Sequence, residues 1–254
     1  MSSVLVTGGT GVLGTRLVPR LVDAGHQVAV LSRSADPAAV PDHVDAVRGD
    51  VLTGEGLASA VEAADTVVHA ASSPFRRARR TEVEGTANVA RAAAERSPRA
   101  HVVYISIVGV DRNPFPYYRA KWEAEQALEA SDAPWTLLRA TQFHPLLHEV
   151  LERRVAPRLA GLRFQLLDAG ECADRLVELA GGDPRGRVDD MGGPDVVPIA
   201  EVVATYREVT SRRVASLPVP RLGRAARAFA DGANLCPDHR DGRITWEEYL
   251  RAQS

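Results

Sequence analysis

Apolar residues follow two alternating spacings along the first half of the chain. Short, continuous apolar runs are typical of buried strands, and the segments between them repeat apolar residues every three or four positions, as amphipathic helices do. The pattern predicts strands at Ser3–Thr7, Gln27–Leu31, Val44–Val47, Thr66–His69, His101–Ile105 and Trp135–Arg139, and helices at Val12–Ala24, Gly56–Ala64, Thr81–Arg96 and Pro116–Ala130. This alternation predicts an α/β fold, a doubly wound parallel sheet with helices on both faces.

The alternation weakens after about residue 140, where prolines and glycines divide the chain into shorter pieces. We expect residues 1–140 to form the main core, and residues 141–254 to form a smaller C-terminal substrate-binding lobe packed on it as one compact unit. Within the lobe the pattern predicts strands at Arg163–Leu167, Arg187–Met191 and Val214–Leu217, and helices at Cys172–Leu179 and Ile199–Val209.

Composition and charge narrow the classes of function. A formal net charge of −2 creates no general attraction for nucleic acid or for an anionic membrane. No stretch approaches the roughly 20 apolar residues of a membrane span, and the N-terminus does not have the pattern of a signal peptide. The two cysteines fit no metal or redox spacing. We expect a cytoplasmic monomer or homodimer that binds no metal and acts on a small molecule.

The first predicted strand runs directly into a glycine-rich turn with the spacing G-x-x-G-x-x-G. We expect Gly8 to permit the tight turn and Gly11 to leave backbone N–H groups exposed to a diphosphate. We expect Gly14 to let the helix pack closely against the sheet. The N-terminus of the following helix adds unpaired N–H groups and a partial positive charge, which favour an anion. Together with Thr10 and Val12, the three glycines therefore predict a dinucleotide-binding loop.

The end of the second predicted strand bears on which dinucleotide binds. An NAD site usually has Asp or Glu there to accept from the ribose 2′-hydroxyl, but this chain has Ser32 and Arg33. The planar guanidinium of Arg33 suits a 2′-phosphate, and Ser32 could add a hydroxyl donor. We therefore expect NADP(H) in preference to NAD. If Arg33 is only an exposed loop residue, the preference is open.

Residues after the third and fourth predicted strands complete the expected cofactor surface. Asp50, followed by Val51, could accept a hydrogen bond from the adenine amino group or could cap the next helix. Both interpretations remain open from the sequence. Ala70 and Ala71 have small side chains that leave room for the cofactor backbone. His69, just before them, is expected to be a packed core residue and not a catalytic one.

Lys121 is the only lysine in the chain, and it follows Tyr117 by four positions in a predicted helix. That spacing puts both residues on one helical face. A nearby ammonium favours the phenolate and lowers the pKa of a tyrosine, so Tyr117 could exchange a proton with a carbonyl oxygen. Lys121 could also hold the nicotinamide ribose hydroxyls. The alternative is a surface lysine near packing tyrosines.

With these motifs the chain resembles the short-chain dehydrogenase/reductase superfamily, specifically its atypical and extended branches, which include NmrA-like and NAD-dependent epimerase/dehydratase-like proteins. The resemblance also covers Gly49-Asp50, the segment 84–89 and the segment 104–109. It implies a Rossmann fold, an NAD(P) cofactor, and Tyr117 as the acid/base with Lys121 as its partner.

The resemblance further implies a serine at the end of the fifth strand. Ser106 occupies the first of two positions that are often serine in related sequences, and Ile107 occupies the second. Glu82 stands where many extended members carry asparagine. If the catalytic position is the second, Ser106 would have to replace the missing hydroxyl.

These residues favour an NADP(H)-dependent oxidoreductase that transfers hydride to or from a small carbonyl, alcohol or quinone-like substrate. The alternatives are a non-catalytic NADP(H)-binding redox sensor, favoured by Ile107, and a sugar-nucleotide epimerase or dehydratase. The segment 237–248 partly resembles a calcium loop, but Pro237 and His239 occupy positions that need oxygen ligands. We interpret it as a turn followed by a capped helix.

Overall fold

The centre of the protein is a seven-stranded sheet with the strand order β3-β2-β1-β4-β5-β6-β9. The computed structural model describes residues 2–73, 79–220 and 222–253. The strands of this sheet are β1 (Ser3–Thr7), β2 (Gln27–Ser32), β3 (Asp45–Arg48), β4 (Thr66–His69), β5 (His101–Ile107), β6 (Trp135–Ala140) and β9 (Gly186–Arg187). The remaining strands are β7 (Val155–Arg158), β8 (Arg163–Phe164), β10 (Val197–Pro198) and β11 (Ala215–Pro218).

Helices connect the strands, as the hydrophobic pattern predicted. They are α1 (Gly14–Asp23), α2 (Leu57–Glu62), α3 (Gly85–Glu95), α4 (Pro116–Glu129), α5 (His144–Glu152), α6 (Ala169–Ala180), α7 (Ile199–Thr210), α8 (Arg224–Ala230) and α9 (Trp246–Ala252). A π-helical turn, Arg80–Glu84, leads directly into α3. The predicted α/β fold with a Rossmann-type sheet is therefore confirmed.

The strand order reverses between β1 and β4, so the turns that follow these two strands lie side by side at the carboxyl ends of the strands. β1 pairs in parallel with both β2 and β4, and Thr7 lies opposite His69 at the carboxyl ends of β1 and β4. In open α/β sheets, ligands bind at such a reversal point. The turns that follow Thr7 and His69 are thus the expected place for a ligand.

The chain divides into two compact units by its backbone contacts. The first unit consists of Met1–Ser106, Ala120–Leu138 and Cys172–Asp189. Its core contains Leu5, Val67 and Val102 from neighbouring strands, in one buried cluster with Leu57 of α2 and Val89 of α3. Because these strands are buried on both faces, they are continuous apolar runs in the sequence.

The second unit consists of Ile107–Arg119, Arg139–Glu171 and Asp190–Ser254. Its core is formed mainly by α5, α7 and α9, together with residues of β7. The Trp246 indole is buried there and donates to the Val202 carbonyl over 3.0 Å. A capping box between Thr245 and Glu248 starts α9, so the predicted turn and capped helix are confirmed. The substrate-binding role of residues 141–254 stays a prediction.

The structure corrects several predicted boundaries. The predicted helix Thr81–Arg96 begins as a π-helical turn and becomes α-helical only at Gly85. The predicted strand Arg163–Leu167 pairs only at Arg163–Phe164, where β8 meets the equally short β10. The predicted strand Arg187–Met191 is reduced to β9, with Met191 forming an isolated bridge to Ala140. None of the described helices is long and apolar enough to span a bilayer.

Candidate functional site

The turn after β1 is closed tightly by backbone atoms. Gly8 has a φ of +76°, and the Gly11 N–H donates to the Gly8 carbonyl over 3.0 Å. A Cβ atom added to Gly8 would lie 2.6 Å from the Ala71 nitrogen, and one added to Gly14 would lie 2.2 Å from the Gly8 oxygen. Any side chain at Gly8 or Gly14 would therefore force the backbone apart.

Gly11 differs from these two glycines because its outer side is open. A Cβ atom added there would meet only the Gly8 oxygen, at 3.3 Å. Helix α1 begins at Gly14, and the Leu13 N-cap makes no side-chain capping bond. Within the described residues, the N–H groups of Val12 and Leu13 donate to no protein acceptor. This open cradle of unpaired donors at a helix N-terminus fits a diphosphate.

The end of β2 presents an exposed cation. Ser32 Oγ accepts from the Ala35 N–H over 3.0 Å, and its own O–H remains available as a donor. Arg33 is exposed and forms no ion pair or side-chain hydrogen bond with the described part of the chain. An unpaired guanidinium beside a hydroxyl at this edge has the chemistry that a phosphate dianion requires.

Asp50 holds the turn after β3. Its Oδ1 accepts from the Leu52 N–H over 2.8 Å, whereas the N-cap of α2 is Gly56, with a φ of +68°. The interpretation of Asp50 as the N-cap of that helix is therefore wrong, and contact with an adenine stays a prediction. The next residue, Val51, is buried, and its carbonyl accepts from the Asn88 amide over 2.9 Å.

A buried chain of polar side chains begins at the carboxyl end of β1. Thr7 Oγ1 lies 2.6 Å from His69 Nδ1, and Thr86 Oγ1 lies 3.1 Å from His69 Nε2. The His69 ring stacks on Tyr104 with 5.4 Å between centroids. Burial and the positive charge of Lys121, partly opposed by Glu82, lower the pKa of His69 to about 4. His69 is thus a neutral, packed residue, as predicted.

The ammonium of Lys121 lies at the other end of this row of buried polar side chains. It donates to Tyr104 Oη over 3.1 Å and to the Ile105 carbonyl over 3.0 Å, and it lies 3.1 Å from Glu82 Oε2. The Lys121 and Glu82 side chains are only 4% and 0% exposed. Lys121 is therefore a buried, paired cation, and the alternative interpretation as a surface lysine is wrong.

Glu82 connects Lys121 to the segment after β4. Its Oε1 accepts from Ser72 Oγ over 2.8 Å and from the Ser73 N–H over 3.0 Å. Burial opposes the charged form of Glu82, yet the Lys121 ammonium and the two serine bonds hold its pKa below the usual value. Burial raises the pKa of Tyr104 to about 12, against the influence of Lys121. Tyr104 is accordingly a neutral hydrogen-bonding partner.

The remaining predicted catalytic residues lie at the end of β5 and in α4. Ser106 is buried, and its Oγ has no hydrogen-bond partner among the described residues. Tyr117 lies in the first turn of α4 and is half-buried, one turn before Lys121. The neighbouring Tyr118 is buried, and its hydroxyl accepts from the Gln142 amide over 3.1 Å.

The sequence did not predict the contacts of Glu82 and Tyr104 with Lys121. The three residues come from different elements, and nothing in a periodic pattern indicates such a contact. The available signal at Glu82 was its departure from the asparagine that many extended members carry at this position. The structure also describes no cluster of three or more His, Cys, Asp or Glu side chains that could bind a metal within residues 2–73, 79–220 and 222–253.

Comparison with known proteins agrees with this geometry. Residues 8–145, more than half of the chain, match the NAD(P)H-binding family. The chain belongs to that family. The predicted membership of an NAD(P)-binding family is thereby confirmed, and the matched region includes every predicted site residue.

One relative is similar over most of both chains. It is the (4-alkanoyl-5-oxo-2,5-dihydrofuran-3-yl)methyl phosphate reductase of Streptomyces griseus, 29% identical over 221 residues that cover 82% of this chain and 74% of that one. Longer relatives also match, and the chain spans about a fifth of their length, 20% and 23% in two of them.

Two solved structures illustrate the similarity in fold. The NADPH-dependent quinone oxidoreductase QOR2 of Escherichia coli, complexed with NADPH, has a TM-score of 0.79 at 16% identity, with 98% of this chain and 99% of that one covered. MoeE5, in complex with UDP-glucuronic acid and NAD, has a TM-score of 0.76 at 21% identity, with 98% and 96% covered. The first of these two structures contains NADPH and the second contains NAD.

Proposed function

We propose that the protein is an NADP(H)-dependent oxidoreductase that acts on a small carbonyl, alcohol or quinone-like substrate. The observation that carries the proposal is the open backbone cradle at Gly11, where the free N–H groups of Val12 and Leu13 fit a diphosphate. The Streptomyces griseus relative is named as a reductase of a phosphate ester, which supports the reductive direction.

The residues around the cradle would hold the rest of the dinucleotide. Arg33, exposed and unpaired in the described structure, would bind the 2′-phosphate, with Ser32 as an additional donor. Asp50 and Val51 would lie along the adenine, and the small side chains of Ala70 and Ala71 would leave space for the cofactor backbone. Thr10, exposed in the glycine loop, would contribute a further hydroxyl.

The proton would be moved by Tyr117. The bound nicotinamide supplies or accepts the hydride, and the phenol would give a proton to the substrate oxygen or take one from it. Lys121 would stabilise the developing phenolate through its positive charge. Ser106 would place its unpartnered hydroxyl near the substrate oxygen, in place of the hydroxyl that Ile107 lacks.

The test is NADPH oxidation with a panel of carbonyls, quinones and phosphorylated carbonyls, in the wild type and in Tyr117→Phe. We expect Tyr117→Phe to lower kcat by about 100-fold or more, since acid–base catalysis contributes that much. Tyr118→Phe is the matched control, because it removes a neighbouring hydroxyl that is already committed to Gln142. Equal turnover in the wild type and Tyr117→Phe would show that Tyr117 does not move the proton.

A non-catalytic NADP(H) sensor is the second candidate. Ile107 at the second serine position favours it, and so do the two hydrogen bonds and the ion pair that already engage the Lys121 ammonium. This candidate predicts tight NADPH binding without oxidation by any member of the panel. The same assay, combined with a binding measurement, therefore separates the sensor from the enzyme.

A further inference from the structure

Lys121 is held by a larger set of contacts than a pairing with Tyr117 requires. The ammonium donates to Tyr104 Oη over 3.1 Å and to the Ile105 carbonyl over 3.0 Å, and it forms a buried ion pair with Glu82 Oε2 at 3.1 Å that does not have hydrogen-bond geometry. The Nζ atom also lies 4.6 Å from the centre of the Tyr104 ring.

The three contacts are not equivalent. Glu82 carries the opposite charge, and a buried ion pair is screened much less than one exposed to solvent. A buried ammonium without a counter-ion is also strongly destabilising. Glu82 is therefore the partner that must stay, whereas Tyr104 Oη and the Ile105 carbonyl are neutral acceptors that a ligand could replace.

Glu82 is itself fixed from the opposite side. Its second carboxylate oxygen accepts from Ser72 Oγ and the Ser73 N–H, in the segment that follows β4. This segment continues from Ala71, whose nitrogen would lie 2.6 Å from a Cβ atom added to Gly8. A single buried carboxylate thus connects the lysine to the backbone that borders the glycine cradle.

We propose that Glu82 is the positioning residue for Lys121, and that its buried carboxylate both fixes the ammonium against β5 and keeps it charged for the bound dinucleotide. The catalytic consequence rests on the proposed oxidoreductase function, but the effect on Lys121 does not. Without the carboxylate, the buried amine loses its counter-ion and gives up its proton at a lower pH.

Besides Glu82, the described titratable groups around Lys121 lie on β4, β5 and α4. Glu82 faces it from the π-helical turn, Tyr104 from β5 and His69 from β4. On α4 itself, Tyr117 and Glu125 lie one turn before and one turn after Lys121. The pKa of His69 is lowered to about 4 and that of Tyr104 is raised to about 12, so neither changes charge between those limits.

The single lysine makes a direct experiment possible. Lysine labelled with ¹³C at Cε reports on Lys121 alone, and its chemical shift is followed against pH in the wild type, in Glu82→Gln and in the exposed control Glu84→Gln. We expect the midpoint to fall by about 1–3 pH units in Glu82→Gln. It should be unchanged in Glu84→Gln and restored toward the wild type in Glu82→Asp. Equal midpoints in the wild type and Glu82→Gln would overturn the proposal.

A double variant covers the case in which Glu82→Gln does not fold. If the unpaired ammonium is the cause, Glu82→Gln/Lys121→Met should recover the folded state, because neither buried charge remains. Failure of the double variant to fold would show that Glu82 acts through something other than Lys121.

Turnover provides a separate measurement. If the protein is an oxidoreductase, the alkaline limb of kcat/KM against pH should move in Glu82→Gln by the same amount as the lysine midpoint. A moved lysine midpoint in a protein without any turnover would support the positioning role and contradict the proposed function. A moved midpoint with an unmoved limb would contradict the role of Glu82 in the reaction.

Discussion

Arg33 is the residue on which the choice between NADPH and NADH depends. Its guanidinium is exposed and has no partner in the described structure, so a 2′-phosphate would gain a charge-assisted bond without breaking an existing one. We expect Arg33→Ala to weaken NADPH binding by about 10- to 100-fold, since bonds to charged groups contribute roughly 1.5–3 kcal/mol. NADH binding should change little.

Parallel titrations of the two dinucleotides against wild type and Arg33→Ala measure this difference. Arg16, also exposed but located on α1, provides a control substitution with the same loss of charge. An equal loss of affinity for NADPH and NADH in Arg33→Ala would mean that Arg33 does not recognise the 2′-phosphate.

At the scale of single residues, local motifs could be predicted and long-range pairs could not. The roles of Gly8, Gly11 and Gly14 follow from their spacing between a predicted strand and a predicted helix, because each meets a demand of the backbone within one turn. The Lys121–Glu82 pair joins residues 39 positions apart in sequence, and only the folded sheet brings them within 3.1 Å. The spacing of Tyr117 and Lys121 concerns neighbours within one helix, and it gives no indication of Glu82.

In the turn from β1 to α1, one glycine is needed for stability and another for binding. Gly14→Ala would place a Cβ atom 2.2 Å from the Gly8 oxygen, whereas Gly11→Ala meets only that oxygen, at 3.3 Å. We expect Gly14→Ala to cost about 1–3 kcal/mol, or roughly 2–10 °C in Tm. Gly11→Ala should change stability by less than about 0.5 kcal/mol.

Thermal unfolding of both variants without cofactor tests this contrast. We expect Gly14→Ala to be the less stable of the two, because backbone atoms cannot move aside as a flexible side chain can. A larger decrease in Tm for Gly11→Ala than for Gly14→Ala would contradict the presence of open space beside Gly11.

How well the sequence predicts a strand or a helix depends on whether its apolar pattern is continuous. Strands β1 and β4 have the bounds that the apolar runs predicted, since strands buried on both faces leave a continuous signal. Helix α5 and strand β7 were not predicted, because prolines at positions 145 and 157 interrupt the local pattern. Pro145 lies in the first turn of α5, where a missing N–H has no cost.

At the scale of the whole molecule, three buried histidines make stability depend on pH. Burial lowers the pKa of His69, His101 and His144 to about 4, in the last two cases against nearby aspartates. Each folded-state pKa is below the ordinary value of 6.5, so the unfolded chain binds more protons between these limits. Their stabilising contribution is present above pH 6.5 and is lost as the pH falls toward 4.

We expect the free energy of unfolding to decrease by up to about 1.4 kcal/mol per pH unit for each histidine in this range. Urea unfolding at about pH 7 and about pH 5 measures the decrease. In His144→Phe the dependence should be shallower, because His144 stacks on Trp246 and Tyr249 and its ring nitrogens have no partner in the described structure. An unfolding free energy that is equal at the two pH values would contradict this explanation.

The proposed function requires the backbone of the β1–α1 turn to receive a dinucleotide diphosphate on the open side of Gly11. Titration calorimetry of NADPH with the wild type and with Gly11→Ala measures this binding, because the added methyl group enters the space for the diphosphate and leaves the fold intact. We expect micromolar or tighter binding to the wild type and a loss of about 100-fold or more in Gly11→Ala. Equal affinity of the two proteins, or no binding of NADPH to the folded wild type, would contradict it.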